Sequence, residues 1–255
     1  MIWSRDRFTT GGGPGEIALI ALSSSKLPDP LPISSAKHGM PRGSEGATAI
    51  SLVARDRIED PGWFDTQVVE PFVNLIAGDL GDQVAATARA SSHAYVIEGT
   101  VADPEDLSHI QAAWALAKCV CEQGAEVVID VYAARAHLGT DVAALNPNRS
   151  FDVLHEVTLF FDEMGDGTLA AWSLGLRKFG RPDMVVLDIA AEAATPTALL
   201  LRDVVSTLAA GERIEPGDAV GTHDGRQLTA AVFEPGSAPV VAVDGPAILL
   251  VSSPD

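Results

Sequence analysis

Positive charge is what this chain has least of. Lys and Arg number 17 against 35 Asp and Glu, a formal net charge of −18 over 255 residues. That balance repels phosphate backbones at long range and disfavours adsorption to anionic membranes, so neither nucleic acid nor membrane is expected as a partner. Aromatics are scarce too, at 5%, and there are 2 cysteines, Cys119 and Cys121. On a helix those two side chains point about 200° apart. They can neither pair nor share a metal ion, and nothing resembles a disulfide framework, which fits a reducing compartment. Long apolar runs are missing as well. "IALIAL" and "AILLV" are far too short to span a bilayer, and "MIWSRDRFTTGGGPG" has cations but no apolar signal region. A soluble, cytoplasmic protein of undetermined oligomeric state is expected.

What is abundant is aliphatic: 47% of the residues are hydrophobic, with Ala, Val and Leu leading. A chain of this length buries about three quarters of its unfolded surface and needs no disulfide or metal staple. Residues 1–14 read as a flexible lead-in, and 15–255 as one domain. "EIALIAL" (16–22) and "ATAISLVA" (47–54) read as strands. Between them, 23–46 is a long Ser/Pro/Gly-rich connection, either a flap over a site or a structureless loop. Phe64, Val68, Phe72, Ile76 and Leu80 recur every four residues, an amphipathic helix interrupted at Pro71.

The strongest architectural signal is a βαβ pattern. "HAYVIEGTV" (93–101) is followed by a helix with Asp103 as N-cap and Pro104 at its first position, then by "EVVIDVYA" (126–133). The helix stripe runs Leu107, Ile110, Trp114, Ala117 and Cys121, which leaves His109 solvated and Cys119 off the stripe. "VLHEVTLFFDE" and "TLAAWSLGL" around "MGDG" predict a hairpin, and "MVVLDIA" a further strand. A helix follows with Thr195 as N-cap and Pro196 next. Short strands at 212–255 read as a small β lobe. The fold class is α+β (α/β-like): a mixed sheet around a central βαβ unit, with flanking helices and a β-rich C-terminal segment.

Motifs that carry chemistry are thin. "HEVTL" has Leu159 where a second zinc ligand would sit, and "DEMGDG" lacks the ligand spacing of a calcium loop. No metal or cofactor is expected. "GGGPG" could in principle form an anion-cradling nest, but it lacks the Gly-Lys-Ser/Thr ending of a phosphate loop. "AWSLG" resembles a nucleophile elbow centred on Ser173, with Ala171 in place of the first glycine and Asp203 and His223 following in order. His38, flanked by Gly39, Met40 and Pro41, is the other catalytic candidate. In "LRKFGRPD", Arg177, Lys178 and Arg181 crowd together. They either complement the carbonyl end of a helical turn or hold an anion.

"SLGLRKFGRPDM" resembles the signature of a family of bacterial domains of unknown function, Ser/Thr-x-Gly-Leu/Met-x-x-Phe-Gly-x-Pro-Asp/Glu. "EPGDAVG" (215–221) is similar to that family's ending. The resemblance spans residues 91–251, with Asp183 where Glu is the commoner acid. It implies an α+β fold in a bacterial cytosol and carries no catalytic residues. Some domains of this general kind occur near toxin–immunity and self-recognition loci, which points towards binding.

The leading expectation is therefore a non-enzymatic acidic binding or immunity-type module that engages a basic protein partner, more weakly as salt rises. The alternatives are a hydrolase with His38, Ser173 and Arg181 converging near the 23–46 loop, or a sensor of small anions at Arg177–Arg181.

Overall fold

Each of two sheets gathers its own core, so the chain divides into two compact units where the sequence suggested a single domain. The first takes residues up to Trp3, 16–101 and 106–151; the second takes 4–15, 102–105 and everything from Asp152. The computed structural model describes residues 2–146, 149, 151–165, 167–221, 227–234 and 245–252. The protein is α+β. Among the described residues, no helix is long and apolar enough to cross a membrane.

The first unit contains, in chain order, β1 (Pro14–Ser23), α1 (Ser35–His38), α2 (Glu45–Thr48), β2 (Ile50–Asp56), α3 (Pro61–Phe64), α4 (Glu70–Leu80), α5 (Asp82–Ala90), β3 (His93–Ala102), α6 (Ser108–Glu122), β4 (Val127–Asp130), β5 (Arg135–Leu138) and α7 (Gly139–Ala143). Its sheet has the order β2-β3-β1-β4-β5. β1 pairs antiparallel with β4, and β2 with β3. The end of β1 meets the start of β3, where Ser92 N–H donates to the Ser23 carbonyl, so these two also run antiparallel. The expected βαβ unit is present in a wider form. Its two strands share the sheet with β1 inserted between them.

One face of this sheet is covered by α3, α4 and α5. Phe64, Val68 and Ile76 meet Ile20, Leu22, Val127 and Ile129, with Phe72 and Leu80 partly buried beside them. Asp65–Val69 form a π-helical turn between α3 and α4. Pro71 accounts for it: proline has no N–H to donate and crowds the carbonyl four residues back, so the wider turn absorbs the misfit one turn upstream. α6 lies on the opposite face, where Trp114 packs edge-on against His137 at 5.3 Å.

Several expectations need correction. α6 begins at Ser108, because Asp103 is drawn into the other unit rather than capping the helix. Nor is α6 amphipathic in burial: His109 and Cys119 are both fully buried. Its small residues let α1, α2 and α7 close over the second side; a Cβ on Gly46 of α2 would come within 2.3 Å of Ser108 Oγ. The 23–46 connection is not structureless. It holds α1 and α2, capped by the Ser34 and Ser44 hydroxyls. The lead-in is tied down as well, with Trp3 and Arg5 both buried.

The second unit contains α8 (Val153–Glu156), β6 (Thr158–Glu163), β7 (Leu169–Leu174), β8 (Asp183–Ile189), α9 (Ala194–Ala209), β9 (Ala219–Gly221), β10 (Gln227–Val232) and β11 (Ala247–Ser252). The sheet order is β6-β7-β8-β11-β10-β9, with β8 and β11 parallel. The predicted β6–β7 hairpin is there. The separate C-terminal lobe is not: "AILLV" is apolar on both faces, as a central strand must be, and it inserts between β8 and β10. α9 starts at Ala194, so Thr195 and Pro196 fall inside its first turn.

Candidate functional site

The stretch 173–183 closes on itself. Its first and last residues are joined, Ser173 Oγ donating to Asp183 Oδ1 at 2.8 Å, while Ser173 Oγ accepts from Met184 N at 2.9 Å. Asp183 Oδ1 also accepts from Leu176 N at 3.2 Å. Burial pushes the Asp183 carboxyl up to about 7, against the hydrogen bonds from Ser173, Leu176 and Gly175 and the charge of Lys178. Between these ends a short 3-10 turn, Leu176–Phe179, is bounded by Gly175 at φ 122° and Gly180 at φ 63°. No side chain fits at either glycine: a Cβ would lie 2.4 Å from the Glu156 carbonyl oxygen and 2.2 Å from that of Gly13, respectively.

This geometry corrects the chemical readings. Ser173 is an interior residue of β7, fully buried, with its hydroxyl engaged in both directions, so it is no nucleophile elbow. Its suggested partner His223 lies outside the described residues. Lys178 is fully buried and pairs with Glu156, Nζ to Oε2 at 2.8 Å. Burial opposes the charge on Glu156, but Lys178 and His155 outweigh it and hold that carboxyl well below its usual range. Arg181 is likewise committed. It donates to the carbonyls of Glu212, Thr9 and Gly211 and pairs with Asp103 at 3.1 Å. Arg177, Lys178 and Arg181 therefore form no common anion site; two of the three are internal struts.

The glycine-rich segment does cradle an anion, and it is the chain's own. Gly11 N donates to Asp103 Oδ2 at 2.7 Å, and Gly12 N hydrogen-bonds the same carboxylate. Burial disfavours the charge, yet Arg181 and these amides lower the Asp103 pKa. A Cβ on Gly12 would come within 1.7 Å of Arg181 Nη1, so only glycine permits the approach. Arg5 completes the strap, donating to the carbonyls of Ala209, Pro104, Phe179 and Leu208 at 2.8–3.0 Å. Its pKa is lowered to about 10, chiefly by burial and then by the charge of Arg181.

His38 belongs to the first unit, and Ser173 and Arg181 to the second. His38 is buried. Its Nδ1 accepts from Ser34 N at 2.9 Å, which leaves the proton on Nε2 to donate to Glu122 Oε2 at 3.1 Å. Lys37 and Lys118 also pair with Glu122. Burial works against that carboxylate, but the three donors prevail and hold it at about 2. A histidine with both nitrogens engaged in fastening α1 is a staple. Neither cysteine is activated: burial raises both thiols, Cys121 to about 12.

Space for a ligand or partner lies elsewhere. In the second unit a cavity of about 510 Å³ opens between α9 and β9, and three carboxylate residues line it, Asp203, Glu212 and Asp218. Among the described residues Arg213 is the single cation in this lining, and it pairs with Glu215. The sequence offered no sign of this groove. Its acids are spread over 16 residue positions, and they meet because α9 turns back beside β9. Among the described residues no cluster of His, Cys, Asp and Glu is disposed to hold a metal ion. The chain matches no protein-family model, no curated protein and no solved structure.

Proposed function

We propose that the protein is an acidic binding module that engages a basic protein partner in the bacterial cytosol, with the α9–β9 groove as its principal contact. The observation that carries this reading is the groove itself: among the described residues, three carboxylate residues, of which Glu212 pairs with Arg7, against one arginine already paired with Glu215, in a cavity of about 510 Å³. The wider charge distribution supports it. Among the described residues, burial withdraws Arg5, Lys118, Lys178 and Arg181 from the surface but only Asp130, Glu156 and Asp183 of the far more numerous acids. The field outside the protein is thus at least as one-sided as the sequence, which steers cationic partners and repels anionic ones. The resemblance of 173–183 to bacterial domains found near immunity loci supports the same conclusion.

The test is affinity capture from native extract over a salt series, repeated with a triple variant, Asp203→Lys, Glu212→Lys and Asp218→Lys. A stoichiometric basic partner, lost at moderate salt and lost with the triple variant, is the expected result. A partner retained equally by both forms, or none at low salt, would refute the proposal.

A further inference from the structure

The first unit contains a second kind of opening. The helices over its sheet cover the β1–β4–β5 side well, but they leave a cavity of about 290 Å³ towards β2 and β3. The floor is apolar sheet surface, Ile20, Val53 and Val96; the wall is Trp63 and Phe72, set on either side of the π-helical turn. Val53 is 39% exposed although aliphatic and mid-strand, so the floor is open to solvent. π-helical turns recur at functional sites because they displace side chains from the regular ladder, here bringing Gln67 to the rim.

Among the described residues two charged ones line this cavity, and they differ in commitment. Arg55 lies over the Trp63 ring at 5.6 Å and faces Asp60 at 3.7 Å. Glu98 has no ion pair among the described residues, and its carboxylate stands at the cavity wall. In the β2–β3 register Ser51 is opposite Glu98 and Arg55 opposite Ala94, so the two charges lie four residues apart along the sheet, one towards each end of the cavity. That separation, roughly 13 Å between backbones, is too long for the adjoining charges of an α-amino acid. An apolar floor, an aromatic wall and one uncommitted carboxylate, on a chain of net charge −18, complement a single type of occupant.

We propose that this cavity binds a small amphipathic cation, a primary amine on an apolar body of roughly ten non-hydrogen atoms. The ammonium sits on Glu98 and the body lies between Val53, Val96 and Phe72. The site is separate from the α9–β9 groove, so either assignment stands if the other falls.

The experiment is a titration of the isotope-labelled full chain with 2-phenylethylamine, followed by NMR. Its neutral counterpart 2-phenylethanol, its anionic counterpart phenylacetate and the lysine side-chain mimic Nα-acetyl-lysine methylamide are run in parallel. Saturable shifts at Val53, Val96, Glu98 and the Trp63 indole, strongest for the amine, are expected. Glu98→Gln should weaken the amine roughly three- to five-fold, as befits an ion pair to an exposed carboxylate. Val53→Trp, a β-favouring residue at an exposed strand position, should fill the cavity and abolish binding with the spectrum otherwise preserved. The proposal is overturned if no saturable shift occurs, if the shifts map elsewhere, or if the alcohol or acid binds as tightly as the amine. It is also overturned if Glu98→Gln changes nothing. Tighter binding of the lysine mimic would reassign the cavity to a protein partner.

Discussion

Two segments that look alike in sequence, 4–15 and 23–46, are held by opposite chemistry. Both are rich in small and polar residues, and both resemble unstructured connections. The first is strapped by guanidiniums that donate to backbone carbonyls, Arg5 to four of them and Arg181 to those of Thr9, Gly211 and Glu212. In the second, α1 is fastened by a carboxylate, Glu122, that accepts from the side chains of Lys37, His38 and Lys118. Arg181 has a side chain 1% exposed, whereas that of Glu122 is 17% exposed. The lesson is about replaceability. A guanidinium shared among buried carbonyls leaves every acceptor stranded when it goes, while loss of the Glu122 carboxylate leaves Lys37 to water and Lys118 to the Ala143 carbonyl and strands only His38.

The largest effect is therefore expected at Arg181. Arg181→Ala should cost on the order of 3–5 kcal/mol in chemical denaturation, since it strands carbonyls and leaves Asp103 unpaired. Arg181→Lys should recover little, because an ammonium cannot reproduce the planar fork. Full stability in the lysine variant would show that charge alone holds the strap. Next comes the buried pair. Lys178→Met should cost about 3–5 kcal/mol by leaving Glu156 buried with only His155 beside it, and adding Glu156→Leu should restore most of it. A double variant as unstable as the single one would mean that packing, not charge, is lost.

Glu122→Gln is the matching test in the first unit and should cost less, about 1–2 kcal/mol. Its signature is local: faster amide exchange through Ser34–His38, with the sheet unaffected. The parent should also lose this contribution as pH falls, because the carboxyl is held at about 2 when folded. A depressed acid stabilises above its unfolded pKa and is neutralised as pH drops through the folded one, here from about 4.5 towards 2.

Asp183 has the reverse sign. Its folded pKa is raised to about 7, so the folded state holds a proton that the unfolded chain releases near pH 4. Stability falls as pH rises between those values and then levels. Asp183→Asn keeps an acceptor for Ser173 and Leu176 without the charge. It should match the parent near pH 4–5 and exceed it at pH 7 and above, as read from urea midpoints. Parallel pH profiles for the two proteins would overturn this account of the buried carboxyl.

Local patterning and tertiary placement divide this protein cleanly. Strands such as 16–22 and 184–190, the β6–β7 hairpin and the helical stripe of Phe64, Val68 and Ile76 were legible, because each follows from a periodicity or turn preference over a few residues, whereas the strand expected at 126–133 ends at Asp130 in a turn. The start of α6 was not. Asp103 and Pro104 have good capping chemistry, yet the carboxylate is taken by Arg181 and by the amides of Gly11 and Gly12, residues remote in sequence. The cations at 177–181 were legible as a cluster but not as struts, since a charged residue's partner is invisible until the fold supplies it. The acid-lined groove and the amine-sized cavity were beyond reach for the same reason, each being assembled from several elements. What the sequence by itself determined was the excess of negative charge, the α+β element pattern and the glycines that 173–183 requires. Which charges are spent inside and which remain at the surface was decided by tertiary structure, because burial, not residue type, sets whether a charge must find its counterpart within the chain.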